Sequence, residues 1–137
     1  MIKLEAKNWS VEGNLMVSFF LAGPIADEVW RDYCDTIASP QVTKILSASI
    51  GAVEIDSRQR SQINLAMREP PPASAAVVTD EAIVRGLMTA TAWLGRIDVK
   101  AFAWHKLGEA FRHLAPDGVT EARALELVEI VRQRAES

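Results

Sequence analysis

The sequence predicts an α/β domain on three observations. Short apolar runs rich in Val, Ile, Leu and small residues alternate with stretches whose apolar residues recur at helical spacing. The junctions carry caps or breakers, among them Asp56-Ser57, Thr79-Asp80 and Pro70-Pro71-Pro72. A length of 137 residues suits one core, so residues 1–137 are read as a single domain.

Taken in order, Lys3 to Val11 reads as a strand, Glu12-Gly13-Asn14 as a tight turn and Leu15 to Leu21 as the returning strand, because Gly and Asn tolerate the positive φ of hairpin turns. Gly23-Pro24 closes this hairpin. Ala26 to Ala38 follows as an amphipathic helix, with Val29, Trp30, Tyr33 and Ile37 inward and Asp27 and Glu28 in the first turn, where carboxylates suit the helix dipole. Ser39-Pro40 ends it. Lys44 to Ile55 reads as a buried strand broken near Gly51. Asp56 is an N-cap for a helix from Ser57 to Arg68, and the three prolines stop that helix. Ser74 to Val78 is a short strand. Thr79-Asp80 caps an apolar helix from Glu81 to Leu94, with Ile83, Leu87, Ala90 and Leu94 along one face and Gly95 at its end. Val99 to Trp104 is the final strand, Lys106 to Leu114 a short helix, and Thr120 caps a last helix from Glu121 to Ala135. The expected sheet is mixed and mostly parallel, with the hairpin at an antiparallel edge, helices packed against it and an extra C-terminal helix.

Composition narrows the function. The 15 basic and 18 acidic residues leave a net charge of −3, which argues against a nucleic-acid partner held by phosphate contacts. The longest apolar stretch, Leu15 to Ile25, is too short for a helical membrane span and holds Ser18, Gly23 and Pro24. The alternating N-terminus lacks the apolar core of a signal peptide, and Cys34 is the only cysteine, so a cytoplasmic location is expected, with no disulfide and no metal site built from cysteines. His105 and His113 lie eight residues apart, which is not the i, i+4 spacing of a helical metal pair, and no cofactor motif is present.

Two sites carry candidate chemistry. At Asp56-Ser57 the plain reading is a helix cap worth about 1 kcal/mol. The functional one is a phosphoacceptor at Ser57, favoured by the helix dipole and by Arg58 and Arg60, and opposed by Asp56. Thr79, Asp80 and Arg85 place a hydroxyl, a carboxylate and a guanidinium near the C-terminal edge of a strand, where ligands of open α/β sheets bind, although Thr79-Asp80 is also a capping sequence. No nucleophile-elbow pattern or other catalytic constellation is present.

The strand-to-helix junction Ile55-Asp56-Ser57 resembles that of STAS domains, the fold of bacterial anti-sigma-factor antagonists, in which a serine at this place is phosphorylated. STAS domains follow that serine with a small residue and glycine, whereas Arg58, Gln59 and Arg60 stand here, so no phosphorylation is expected. A wider resemblance runs through Ala76-Val77-Val78-Thr79-Asp80, Arg85-Gly86-Leu87-Met88-Thr89-Ala90, Trp93-Leu94 and Val99-Lys100-Ala101-Phe102 to His113-Leu114. These residues resemble the SpoIIAA-like family of small bacterial proteins related to STAS and lipid-binding Sec14 domains. The resemblance implies a STAS-like fold; the fold order, the lack of a catalytic constellation and the apolar surplus on the last helix lead to the expectation of a non-enzymatic interaction or regulatory module, acting on a protein partner or by self-association as a homodimer. The Sec14 side of the resemblance implies a carrier of a small apolar ligand instead. A partner surface is expected on the last helix, where Leu125, Leu127, Val128, Ile130 and Val131 form a wide apolar stripe, or at a cluster of the tryptophans 9, 30, 93 and 104 should they prove exposed.

Overall fold

The computed structural model describes residues 2–68, 72–81 and 98–137. Five strands form one sheet in sequential order: β1 (Trp9–Glu12), β2 (Leu15–Pro24), β3 (Lys44–Glu54), β4 (Ser74–Thr79) and β5 (Asp98–Phe102). β1 pairs antiparallel with β2 at one edge, and β2 through β5 are parallel, so the fold is α/β with the expected mixed sheet. Among the described residues the α-helices are α1 (Asp27–Ile37), α2 (Ser57–Ala66), α3 (Leu107–Leu114) and α4 (Glu121–Glu136). The expected helix from Glu81 to Leu94, with Leu87, and its Gly95 cap fall almost wholly outside the described residues, as do Arg85 and Trp93.

Strand alternation sorts side chains onto two faces. Leu15, Val17 and Phe19 of β2, Leu46 and Ala48 of β3, and Ala76 and Val78 of β4 pack beneath α3 and α4. Met16 and Phe20, with Ile45 and Ala75, face the other way, against Trp30, Tyr33, Cys34 and Ile37 of α1 and partly buried Ile63 and Ala66 of α2. The sheet is therefore covered on both faces, α1 and α2 on one and α3 and α4 on the other.

Several boundaries differ from the sequence reading for local reasons. The first strand begins at Trp9 and not Lys3, because residues 3–6 double back along it: the Val11 N–H donates to Leu4 O (2.7 Å) and Glu5 forms a bridge with Ser10. Lys3 is held on α1, its N–H donating to Thr36 Oγ1 (3.0 Å) and its ammonium pairing with Asp32 (3.0 Å). The final strand ends at Phe102, since Trp104 starts a short 3-10 turn (Trp104–Lys106) and donates from Nε1 to Ser49 O (2.9 Å). β3 is not broken near Gly51 as expected but runs on to Glu54 with a local irregularity there. Gly51 has φ +78°, and a Cβ there would lie 2.7 Å from that of Ala22, next to a register shift between β2 and β3.

The stripe on the last helix is mostly consumed by the fold. Leu127, Val128 and Val131 are buried against the sheet, leaving Leu125 and Ile130 half-buried at its margins, so the partner surface expected there is not formed by the stripe. Trp9 and Trp30 are buried and Trp104 is half-buried, so no exposed tryptophan cluster exists among the described residues.

Candidate functional site

At the C-terminal ends of β2 and β3 the chain turns into α1 and α2, and the two helix starts border an open cleft of about 450 Å³. Its walls are Pro24 to Asp27 on one side and Glu54 to Asp56 with Gln59 on the other. This is the edge at which open parallel sheets bind ligands.

Gln59 organises the cleft. The Asp56 carboxylate accepts from the Gln59 N–H (2.8 Å) while Gln59 Oε1 accepts from the Asp56 N–H (3.1 Å), a complete capping box. Gln59 Nε2 spends both donors on Ile25 O (2.8 Å) and Asp27 Oδ1 (3.1 Å), and the Gln59 carbonyl accepts from Trp30 Nε1 (2.8 Å). A buried amide with every group paired ties the start of α2 to the start of α1. The Asp56 cap was legible in the sequence. Gln59 was missed, although Asp56-x-x-Gln59 is a capping-box spacing.

The other candidate residues divide around this hub. Ser57 is exposed, and its carbonyl accepts from Ser61 Oγ (3.0 Å), as expected of a first-turn residue. Arg58 directs its guanidinium to Asp27 Oδ2 (2.6 Å), so it is already engaged and does not pair with Ser57. Arg60 is exposed. Thr79 is fully buried and its Oγ1 accepts from the Glu81 N–H (3.2 Å). Asp80 does something else: its Oδ1 accepts from the Gly51 N–H (3.0 Å), bracing β3 at its irregular point. Thr79 and Asp80 do not line the cleft, and Arg85 lies outside the described residues.

The remaining reactive side chains are dispersed. His105 is exposed on the 3-10 turn, while His113 sits at the end of α3 with Nε2 3.3 Å from Asp98 O. Among the described residues, no three metal-ligating side chains come together. Burial pushes the Cys34 thiol up to about 12, with Asp35 adding to the shift, so the thiolate that reactive cysteines need is scarce. Burial likewise raises Tyr33, whose hydroxyl lies 3.1 Å from Ser18 Oγ. The arrangement can hold and present a surface, and it offers no paired nucleophile and base among the described residues.

Among the described residues no helix is long and apolar enough to cross a membrane. Compared with known proteins, the chain matches no family model, no curated protein and no solved structure.

Proposed function

We propose that the chain is a non-enzymatic, cytoplasmic protein-interaction or regulatory module of STAS-like, SpoIIAA-like type, working through the α1/α2 face. The family assignment rests on the quoted sequence motifs and is compatible with the mixed α/β sheet. One observation carries the interaction reading. α2 buries only Gln59 completely and exposes Arg58, Arg60, Ser61, Asn64 and Leu65, with Leu65 67% exposed. A ten-residue helix is marginal without packing, so a helix with this little burial and an exposed leucine suits a second surface laid against it. The small apolar ligand reading has less support: the cleft is open and rimmed by Asp27, Glu54 and Asp56, which favours a polar or cationic group over an acyl chain.

The test is a photo-cross-linking residue placed at Leu65 in living cells, with Glu129 of α4 as the control position. The proposal expects discrete cross-linked species from position 65 and none from position 129. Equal labelling at both positions, or none at 65, would count against it.

A further inference from the structure

We propose that residues 3–6 are an autoinhibitory strap, lying in cis over a strand-docking edge of the sheet that takes a short partner segment with a cation and, two residues on, a carboxylate. This edge is separate from the α1/α2 face. β1 is the outermost strand of the sheet, and an uncovered outer strand offers its N–H and C=O groups to an extended chain. Here the chain covers that strand itself. Residues 3–6 run antiparallel to β1: the Ala6 N–H donates to Trp9 O (2.9 Å), the Val11 N–H donates to Leu4 O (2.7 Å), and Glu5 stands opposite Ser10. Among the described residues no other backbone bond joins the two segments. The Trp9 and Val11 side chains are buried in the core under α1, so the edge is held in place by the fold and not by its cover.

Polar contacts, and little apolar burial, hold the strap down. Ile2 and Leu4 are 54% and 42% exposed, so their side chains remove little apolar surface from water. At one end the Lys3 ammonium lies 3.0 Å from Asp32 of α1, and the Lys3 carbonyl accepts from Trp9 Nε1 (2.7 Å). At the other, the Arg134 guanidinium of α4 donates to Ala6 O (2.7 Å) and pairs with Glu5 (3.0 Å). A bend at Leu4 lets the two charges reach opposite helical layers. The β1 edge is thus flanked by an acidic group from one layer and a basic group from the other, and Lys3-Leu4-Glu5 fills both. Exposed pairs of this kind are weak and screened by salt, so a segment of the same charge pattern presented by a partner can displace the strap and take its bonds to Trp9 and Val11.

Amide exchange read by NMR on the full chain tests this, because neighbouring amides of β1 face opposite ways, that of Val11 toward the strap and that of Ser10 toward β2. The double variant Lys3→Glu with Glu5→Lys sets like charges against Asp32 and Arg134 while leaving the edge intact. It should speed Val11 exchange by about tenfold or more and leave Ser10 unchanged, which also checks that the variant is folded. The probe is the end-blocked peptide Ile-Lys-Leu-Glu-Ala-Lys, the sequence of residues 2–7, added to that variant at about 5 mM. It should slow Val11 again by about threefold or more, whereas the peptide Ile-Glu-Leu-Lys-Ala-Lys should not, and wild-type chain with its strap in place should not respond. Val11 exchange as slow in the variant as in wild type overturns the latch, and Val11 and Ser10 speeding up together reduces the strap to a structural element. If Val11 is freed but the matched peptide fails to slow it, or both peptides slow it equally, the docking edge is overturned.

Discussion

The two faces of the sheet are built from different materials. Under α3 and α4 the contacts are mainly apolar, with Leu15, Val17, Phe19, Leu46 and Val78 clustered with Leu114, Leu127, Val128 and Val131, while buried Ser10 donates to Glu5 and the Arg132 guanidinium lies over Phe19 and Trp104. Under α1 and α2 the aromatic residues Trp9, Phe20, Trp30 and Tyr33 stand beside buried polar groups, Ser18 on Tyr33 and Gln59 on Trp30. An apolar face needs only volume to be matched, whereas a face with buried polar groups needs each of them paired. The first face supplies stability, and the second fixes the position of α1 and α2 while leaving α2 mostly exposed.

The contrast can be broken first at its strongest point. Phe19→Ala removes a fully buried ring that packs edge-on against Trp104 (6.0 Å between centroids), and should cost about 3–5 kcal/mol in denaturant titration. A loss below about 1 kcal/mol would show that the α3/α4 face is not the stabilising core. On the other face, Trp30→Phe keeps an aromatic ring but strips the donor from the Gln59 carbonyl, so a loss of about 1–3 kcal/mol is expected. Asp56→Ala breaks the capping box and should cost about 0.5–2 kcal/mol, while Ser57→Ala should stay within about 0.5 kcal/mol of wild type. The reverse order of those two would overturn the cap assignment.

Acid should act through the ion pairs at the ends of the molecule. The Lys3 ammonium beside Asp32 and the Arg123 guanidinium on Glu12 hold both carboxyls below their ordinary values. A carboxyl depressed in the folded chain contributes stability that is present above its unfolded value, about 4, and is lost as pH falls through the lower folded value. Unfolding curves should therefore weaken below about pH 4, and less so in Glu12→Gln. The smallest effect expected is chemical silence at Cys34. A disulfide reagent at about pH 8 should leave the folded thiol unmodified and label it on unfolding, whereas fast labelling of native protein would contradict its burial.

Much of the fold could be read from the sequence because its punctuation is local. Asp56 and Thr120 cap helices as their positions suggest, accepting from the Gln59 and Arg123 N–H groups, and the Gly13 turn has the positive φ that a hairpin asks for. What the sequence did not disclose depends on contacts between distant residues. The first strand is cut short by Leu4 and Glu5 folding back on it. Asp80 reads locally as a cap, yet its carboxylate accepts from Gly51, 29 residues away. The apolar stripe of α4 looked too wide for one contact because the pattern of one helix does not reveal that it lies across β2 and β1 together. Gln59 carried a visible spacing signal, but its bonds to Ile25 and Asp27 follow only once α1 and α2 are neighbours.

Native-state hydrogen exchange tests the difference between the two faces most directly, because it reads the opening of each helix separately. Amides of α4 from Leu127 to Val131 should exchange only with global unfolding, and those of α2 from Ile63 to Ala66 through a smaller local opening, faster by about tenfold or more. Equal protection in the two helices would contradict the account, since α2 would then belong to the stable core and would not be a thinly held surface turned toward a partner.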